Sequence, residues 1–194
     1  MLSRVRTVTF WGLEVFPVTV ETDIGRGLPK TLIVGLPDNT IRESQERLLS
    51  AFKHSGVDLP DGRITINLAP SDLRKTGSHF DLPLAVGLAL ASGRTPAFEV
   101  SDTLFLGELG LDGRLQPVAG VLQAATWARD QNIRRLVVPF ENAKEAEHSG
   151  LEILPVSDLD GLFELLWRGV APEIETSKLD ISHHQVSPVP DLNE

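Results

Sequence analysis

The residue types best suited to chemistry lie in one loop, residues 71–80, and at its junction with the next segment. Ser78, His79 and Asp81 are the three residue types of a Ser–His–Asp triad. Within four residues of one loop, however, they cannot converge in the order nucleophile, base and orienter. We therefore expect a solvated loop in which Asp81 caps the following helix.

Basic residues flank this loop and could contact phosphate groups or a partner. Arg63 precedes the loop, Arg74 and Lys75 lie within it, and Arg94 follows the next helix. A solvated rim is the alternative interpretation, because most charged residues are exposed and free. The candidate residues for contact with DNA or with a neighbouring subunit are Arg63, Arg74, Lys75 and His79.

The chain has no recognisable site for a nucleotide or a metal ion. The nearest match to a phosphate loop runs from Gly25 to Lys30-Thr31, but Pro29 stands where the Walker pattern needs a glycine. No G-x-G-x-x-G motif follows a strand. His183 and His184 are adjacent but have no further ligands nearby in sequence. The sequence thus predicts no cofactor, no metal and no catalytic residue within these 194 residues.

An uncharged helix after the loop must position these residues. Residues 82–93 carry no charge on any face, and a helix that is apolar all round lies in the middle of a fold. Pro83 suits its first turn and Gly93 its carboxyl end. Gly87 is unfavourable inside a helix, so its presence predicts the close approach of a neighbouring element.

The remaining pattern alternates strands and helices. Alternating residues predict a hairpin over 3–10 and 15–22, and Asp112-Gly113 is a strong signal for a second hairpin. Both hairpins and strand–helix–strand units are present, so the fold class is α+β with a mixed, partly antiparallel sheet and packed helices. Further strands are predicted at 31–36, 64–69, 104–109, 134–138 and 151–155, and further helices at 41–52, 118–128, 141–148 and 158–167.

Composition limits the domain organisation and the partners. The net charge of −9 argues against nucleic-acid binding through the overall field, but residues 1–100 hold 11 basic and 11 acidic residues, which leaves room for a local basic surface. The chain lacks cysteine, a signal-peptide pattern and a membrane-spanning run, which predicts a cytoplasmic protein without membrane contact. We expect one domain over 1–169 and an acidic, proline-containing linker or tail over 170–194.

Several motifs give residues 12–165 a family resemblance. They occur in the order 27–29 (GLP), 33–38 (IVGLPD), 63–73 (RITINLAPSDL), 75–85 (KTGSHFDLPLA) and 105–115 (FLGELGLDGRL). In these motifs the chain resembles the amino-terminal domain of the ComM (YifB) family, bacterial proteins described as magnesium-chelatase-like AAA+ ATPases. The resemblance implies a fold like the Lon protease domain and the carboxy-terminal domain of RadA, related to a ribosomal-protein fold.

The resemblance also implies a continuation beyond residue 194. In the family this domain precedes a hexameric AAA+ module that acts as a DNA helicase in branch migration during natural transformation, and ATP and magnesium belong to that module. The implied partners are the AAA+ module of the same polypeptide, neighbouring ring subunits and DNA. The ATPase activity cannot be assigned to any residue of this chain.

Two other functions are alternatives to a non-catalytic domain of such a helicase. A Lon-like peptidase needs a serine nucleophile and a lysine base. Ser78 lies one position before the serine of the Lon pattern, and residues 118–124, where the lysine should lie, contain none. The second alternative is a free-standing adaptor of 194 residues.

Overall fold

The computed structural model describes residues 2–59, 61–93 and 96–170. The predicted linker, apart from Val170, and the candidate residue Arg94 lie outside these ranges. The strands are β1 (Ser3–Trp11), β2 (Glu14–Gly25), β3 (Lys30–Val34), β4 (Arg63–Ala69), β5 (Thr103–Phe105), β6 (Glu108–Leu109), β7 (Leu115–Gln116), β8 (Arg135–Pro139) and β9 (Glu152–Val156). The helices are α1 (Asn39–His54), α2 (Asp81–Ala91), α3 (Val121–Asp130), α4 (Ala143–Ala146) and α5 (Leu159–Arg168).

Seven strands form one mixed sheet in the order β3-β4-β2-β1-β5-β8-β9. The strand β2 is antiparallel to both β1 and β4, whereas the other neighbouring pairs are parallel. The short pair β6-β7 forms a separate antiparallel hairpin. The α+β prediction with a mixed sheet is therefore confirmed.

The central helix α2 lies in the larger hydrophobic core. All of its residues are buried, and it packs with α1 and α5 against one face of the sheet. At Gly87 the helix α2 packs closely on the sheet: a Cβ atom added there would lie 2.7 Å from the hydroxyl oxygen of Thr22 on β2. The predicted close approach at Gly87 is confirmed.

The opposite face of the sheet is only partly covered. There α3 and α4 pack on β1, β5 and β8 in a second, smaller core. On β3, β4 and β2 the same face carries half-exposed or exposed side chains such as Val34, Thr65 and Asn67. We call this surface the open face, formed by the side chains of Arg4, Arg6, Thr19, Glu21, Asp23, Lys30, Leu32, Val34, Arg63, Thr65 and Asn67.

The predicted hairpins and the predicted carboxyl end of α2 are confirmed, but one predicted strand is divided in two. The first hairpin and the turn at Asp112-Gly113 are confirmed, and Gly93 ends α2 with a left-handed φ of 92°. The strand predicted over 104–109 is split, because Thr103–Phe105 joins the main sheet while Glu108–Leu109 pairs with β7. No helix among the described residues is long and apolar enough to cross a membrane.

Candidate functional site

Asp81 forms a buried ion pair at the amino end of α2. Its carboxylate accepts hydrogen bonds from Arg47 on α1, at 2.6 Å from Nε and 3.0 Å from Nη2, and from the backbone N–H of Leu109 at 3.0 Å. The side chain of Asp81 is 0% exposed. The hydrogen bond to Asp81 raises the pKa of Arg47. The predicted N-cap role is wrong, because Asp81 lies inside the helix and uses its oxygens on a neighbouring element.

The side chain of Lys75 is buried and does not lie on a solvated rim around the loop. It is 0% exposed, and its ammonium group donates hydrogen bonds to the carbonyl oxygens of Gly35, at 2.9 Å, and Pro70. Burial lowers the pKa of Lys75. The exposure that DNA or subunit contact requires is therefore missing, and replacing Lys75 by glutamate would disturb the fold as well as the charge.

The loop that holds Lys75 is attached to the loop before α1. Lys75 exchanges backbone hydrogen bonds with Leu36 at 3.1 Å and with Asp38 at 3.0 Å. The Asp38 carboxylate caps α1 through the N–H of Ile41 at 2.9 Å and also accepts the N–H of Gly77 at 3.3 Å. Asp38 is therefore the N-cap of α1. These bonds hold both loops in one fixed arrangement.

His79 is also buried, with 6% of its surface exposed. Its Nε2 donates a hydrogen bond to the carbonyl oxygen of Val8 at 2.9 Å, and its ring packs 5.1 Å from Phe10 and 4.7 Å from Phe80 between centroids. Burial lowers the pKa of His79, which favours the neutral imidazole. The imidazole therefore supports the packing of β1 on the loop and does not face solvent.

Ser78 is the loop serine that the peptidase alternative requires. Ser78 begins a short 3-10 turn, and in the described part of the chain it has no hydrogen bond with His79 or with a lysine. The peptidase alternative needs its lysine within residues 118–124. In that stretch Gly120, just before α3, lies so close to Phe10 that a Cβ atom there would be 2.9 Å from the ring. Among the described residues, His79, Asp81 and Lys75 each bind partners other than Ser78.

Two of the candidate contact residues are exposed. Arg63 lies on the open face beside Lys30 of β3, and Arg74 lies in the loop. Among the described residues, no group of three or more histidine, aspartate or glutamate side chains could hold a metal ion. The structure therefore divides the four candidates into an exposed pair, Arg63 and Arg74, and a buried pair, Lys75 and His79.

The open face contains a polar network that sequence patterns did not reveal. Glu21 on β2 accepts hydrogen bonds from Asn67 on β4 at 3.0 Å and from Arg4 on β1 at 3.1 Å. The bonds from Asn67 and Arg4 lower the pKa of Glu21. Alternation along each strand could have identified the polar side, but only the strand order brings these three side chains together.

Comparisons with known proteins place these features in a family context. A family model described as subunit ChlI of Mg-chelatase matches residues 20–142, which is more than half of the chain. The uncharacterized protein YifB of Escherichia coli is 41% identical over 144 residues, covering 74% of this chain and 28% of that protein.

Two further relatives carry functional names. Competence protein ComM of Haemophilus influenzae is 40% identical over 135 residues, covering 70% of this chain and 26% of that protein. DNA repair protein RadA of Pseudomonas aeruginosa is 28% identical over 142 residues, covering 70% of this chain and 30% of that protein. The chain thus spans little more than a quarter of the length of YifB and ComM. Because the family model matches more than half of the chain, the chain belongs to the Mg-chelatase subunit ChlI family, in a group with YifB and ComM.

Proposed function

We propose that this chain is the non-catalytic amino-terminal domain of a ComM-like AAA+ DNA helicase. In that protein it would contact neighbouring subunits, DNA or partner proteins. One observation carries the proposal: the identity with YifB and ComM is about 40% over most of this chain but over little more than a quarter of either relative. A longer protein with a separate ATPase module is the simplest reason for such a match.

Contacts at the amino end of α2 support a non-catalytic role. The groups that could act as acid or base are already engaged: Asp81 binds Arg47, Lys75 binds backbone carbonyls and His79 binds Val8. A general base must instead be free to reach the proton it removes. ATP and magnesium, which the family name implies for the longer proteins, would be held by the ATPase module.

The names of two relatives support a role on DNA. ComM is a competence protein and RadA is a DNA repair protein. On this chain the exposed cations Arg63 and Arg74 are the contact residues that remain after the buried pair is removed. We expect that contact to be weak and sensitive to salt, because the net charge of −9 opposes the approach of DNA.

The reading frame beyond codon 194 tests the domain context. A Walker A sequence within roughly the next hundred codons is expected, since the motif opens the nucleotide site of an ATPase module. A stop codon directly after residue 194 would favour the free-standing adaptor instead.

Activity measurements on the purified chain test the non-catalytic role. We expect no ATP hydrolysis and no cleavage of unfolded casein. ATP hydrolysis that disappears when a residue of the 25–31 loop is replaced would contradict the proposal, as would casein cleavage that disappears in a Ser78→Ala variant.

A further inference from the structure

A groove opens where α3 meets the hairpin of β1 and β2. Its volume is about 230 Å³. It lies beside the open face, because Arg6 and Thr19 are cross-strand neighbours on that side of the sheet. The residues that line it and matter here are Arg6, Pro17, Thr19, Trp127, Gln131 and Ile133.

Arg6 is an uncompensated cation in this groove. In the described part of the chain its guanidinium has no hydrogen bond or ion pair, whereas Arg4, two residues earlier, pairs with Glu21 at 3.1 Å. Among the residues that the structure describes, no aspartate or glutamate lines the groove, although the whole chain has 27 of them. A guanidinium without a carboxylate partner is suited to bind a phosphate group.

The opposite wall supplies an aromatic ring and polar groups. Trp127 of α3 is half-buried against the smaller core, and Gln131 lies one helical turn further along. Indole rings stack on nucleobases, and the Gln131 amide and Thr19 hydroxyl could form hydrogen bonds with a base or sugar. The groove is smaller than a typical small-molecule site of about 300–1,000 Å³, so it suits one unit of a longer ligand.

The open face beside this groove has a positive formal charge. The face carries the cations Arg4, Arg6, Lys30 and Arg63 against the carboxylates Glu21 and Asp23. Its formal charge is therefore +2, in a chain whose net charge is −9. A flexible polyanion that inserts one unit beside Arg6 could continue across the sheet towards Arg63.

We propose that this groove binds one nucleotide of single-stranded DNA, with the base on Trp127 and the phosphate on Arg6. The inference rests on the proposed function, because it names the surface through which the domain contacts DNA. An acidic peptide is the competing ligand. It would use the cation but gain nothing from the indole ring, so the pairing of ring and guanidinium favours the nucleotide.

The test measures binding of an oligothymidine of about 12 nucleotides to the full chain at low salt. Arg6→Gln and Trp127→Leu should each weaken binding about tenfold. Arg6→Gln should also lower the slope of log affinity against log salt by about 0.7. Trp127→Phe should keep affinity within about twofold while removing the fluorescence change that the oligonucleotide causes.

Arg129→Gln is the matched control. It removes the same charge two positions from Trp127 on α3, from an exposed side chain that pairs with Asp130. It should change affinity less than about twofold. Thermal unfolding of every variant verifies that a loss of binding is not a loss of fold.

Several results would overturn the inference. The first is parental affinity in both Arg6→Gln and Trp127→Leu, and the second is an equal loss in Arg129→Gln. The third is stronger binding of a polyglutamate peptide than of the oligonucleotide. If binding depends on Arg63 and Arg74 but not on Arg6, the groove is excluded while DNA contact remains. If no oligonucleotide binds the parent chain, the DNA part of the proposed function fails as well.

Discussion

The amino end of α2 and the open face use charged residues in opposite ways. At α2, Asp81 and Lys75 are 0% exposed, and each has its partners within the chain. On the open face, Arg6 and Arg63 are exposed, and Arg6 has no partner in the described part of the chain. A cluster rich in chemical residue types can therefore be structural, while a sheet surface can leave a charged group without a partner.

Physical reasons separate the two regions. A buried charge is tolerated only with partners that replace its lost hydration, so the buried cluster is rigid and fully bonded. An exposed arginine keeps its hydration and contributes little to stability, so it remains available for binding. The comparison predicts that substitutions at α2 change stability, whereas substitutions on the open face change binding.

The largest expected effect is the loss of the buried ion pair. Asp81→Ala would leave Arg47 without its carboxylate partner and the N–H of Leu109 without an acceptor. We expect the free energy of unfolding to fall by about 3–5 kcal/mol in urea titration. Asp130→Ala, which removes an exposed partner of Arg129, should change it by less than about 0.5 kcal/mol. Equal small effects in both variants would show that the buried pair is not structural.

Close packing at Gly87 gives the next effect. Gly87→Leu should lower stability by about 3 kcal/mol or abolish folding, because a Cβ atom alone would meet the Thr22 hydroxyl at 2.7 Å. Gly87→Ala is the milder form, and adding Thr22→Ala to it should restore part of the loss. The Thr22 hydroxyl has no hydrogen-bond partner among the described residues, so its removal breaks no bond. A raised melting temperature in Gly87→Leu would contradict this packing.

His79 predicts a smaller, pH-dependent effect. Burial holds its folded-state pKa below the ordinary value of 6.5. Below pH 6.5 the unfolded chain therefore binds a proton that the folded chain does not. Its contribution to the free energy of unfolding should be complete above pH 6.5 and be lost as the pH falls through the folded-state pKa.

The variant His79→Phe isolates this contribution in urea titrations between pH 7 and the acid range. It should flatten the loss of stability below pH 6.5. An unchanged slope in His79→Phe would mean that His79 titrates as an exposed histidine does.

The smallest effect on stability is expected at the exposed arginines. Arg63→Glu and Arg74→Glu should each change the free energy of unfolding by less than about 0.5 kcal/mol, because exposed charges add little to stability. Each should nevertheless weaken DNA binding at low salt in a filter or anisotropy titration. Loss of self-association without any change in DNA binding would instead favour a subunit contact at these residues.

Local patterns predicted much of the fold. The uncharged sequence of α2 and the alternation of β1 and β2 each reflect one element's own burial, so they can be read without tertiary information. The division of the predicted strand 104–109 after Phe105 could not be predicted, because it depends on which strand lies next to β1.

The site was less predictable for the same reason. Asp81 has the sequence context of a helix cap, but its partner Arg47 lies 34 residues earlier on another helix. In the sequence Lys75 resembles an exposed loop residue, but in the structure its ammonium group donates a hydrogen bond to the carbonyl oxygen of Gly35. The groove at Arg6 and Trp127 joins residues 121 positions apart, and no spacing rule connects them. Long-range contacts thus decided which charged residues are structural.

A paired measurement on Asp81→Asn and Arg6→Gln tests the central claim that stability resides at the end of α2 and DNA binding on the open face. Each variant is titrated with urea and, under folding conditions, with the same oligothymidine. Asp81→Asn should lose at least about 2 kcal/mol of stability and, while folded, bind within about twofold of the parent. Arg6→Gln should keep its stability and lose about tenfold in affinity. The reverse pattern, or loss of both properties in both variants, would contradict the claim.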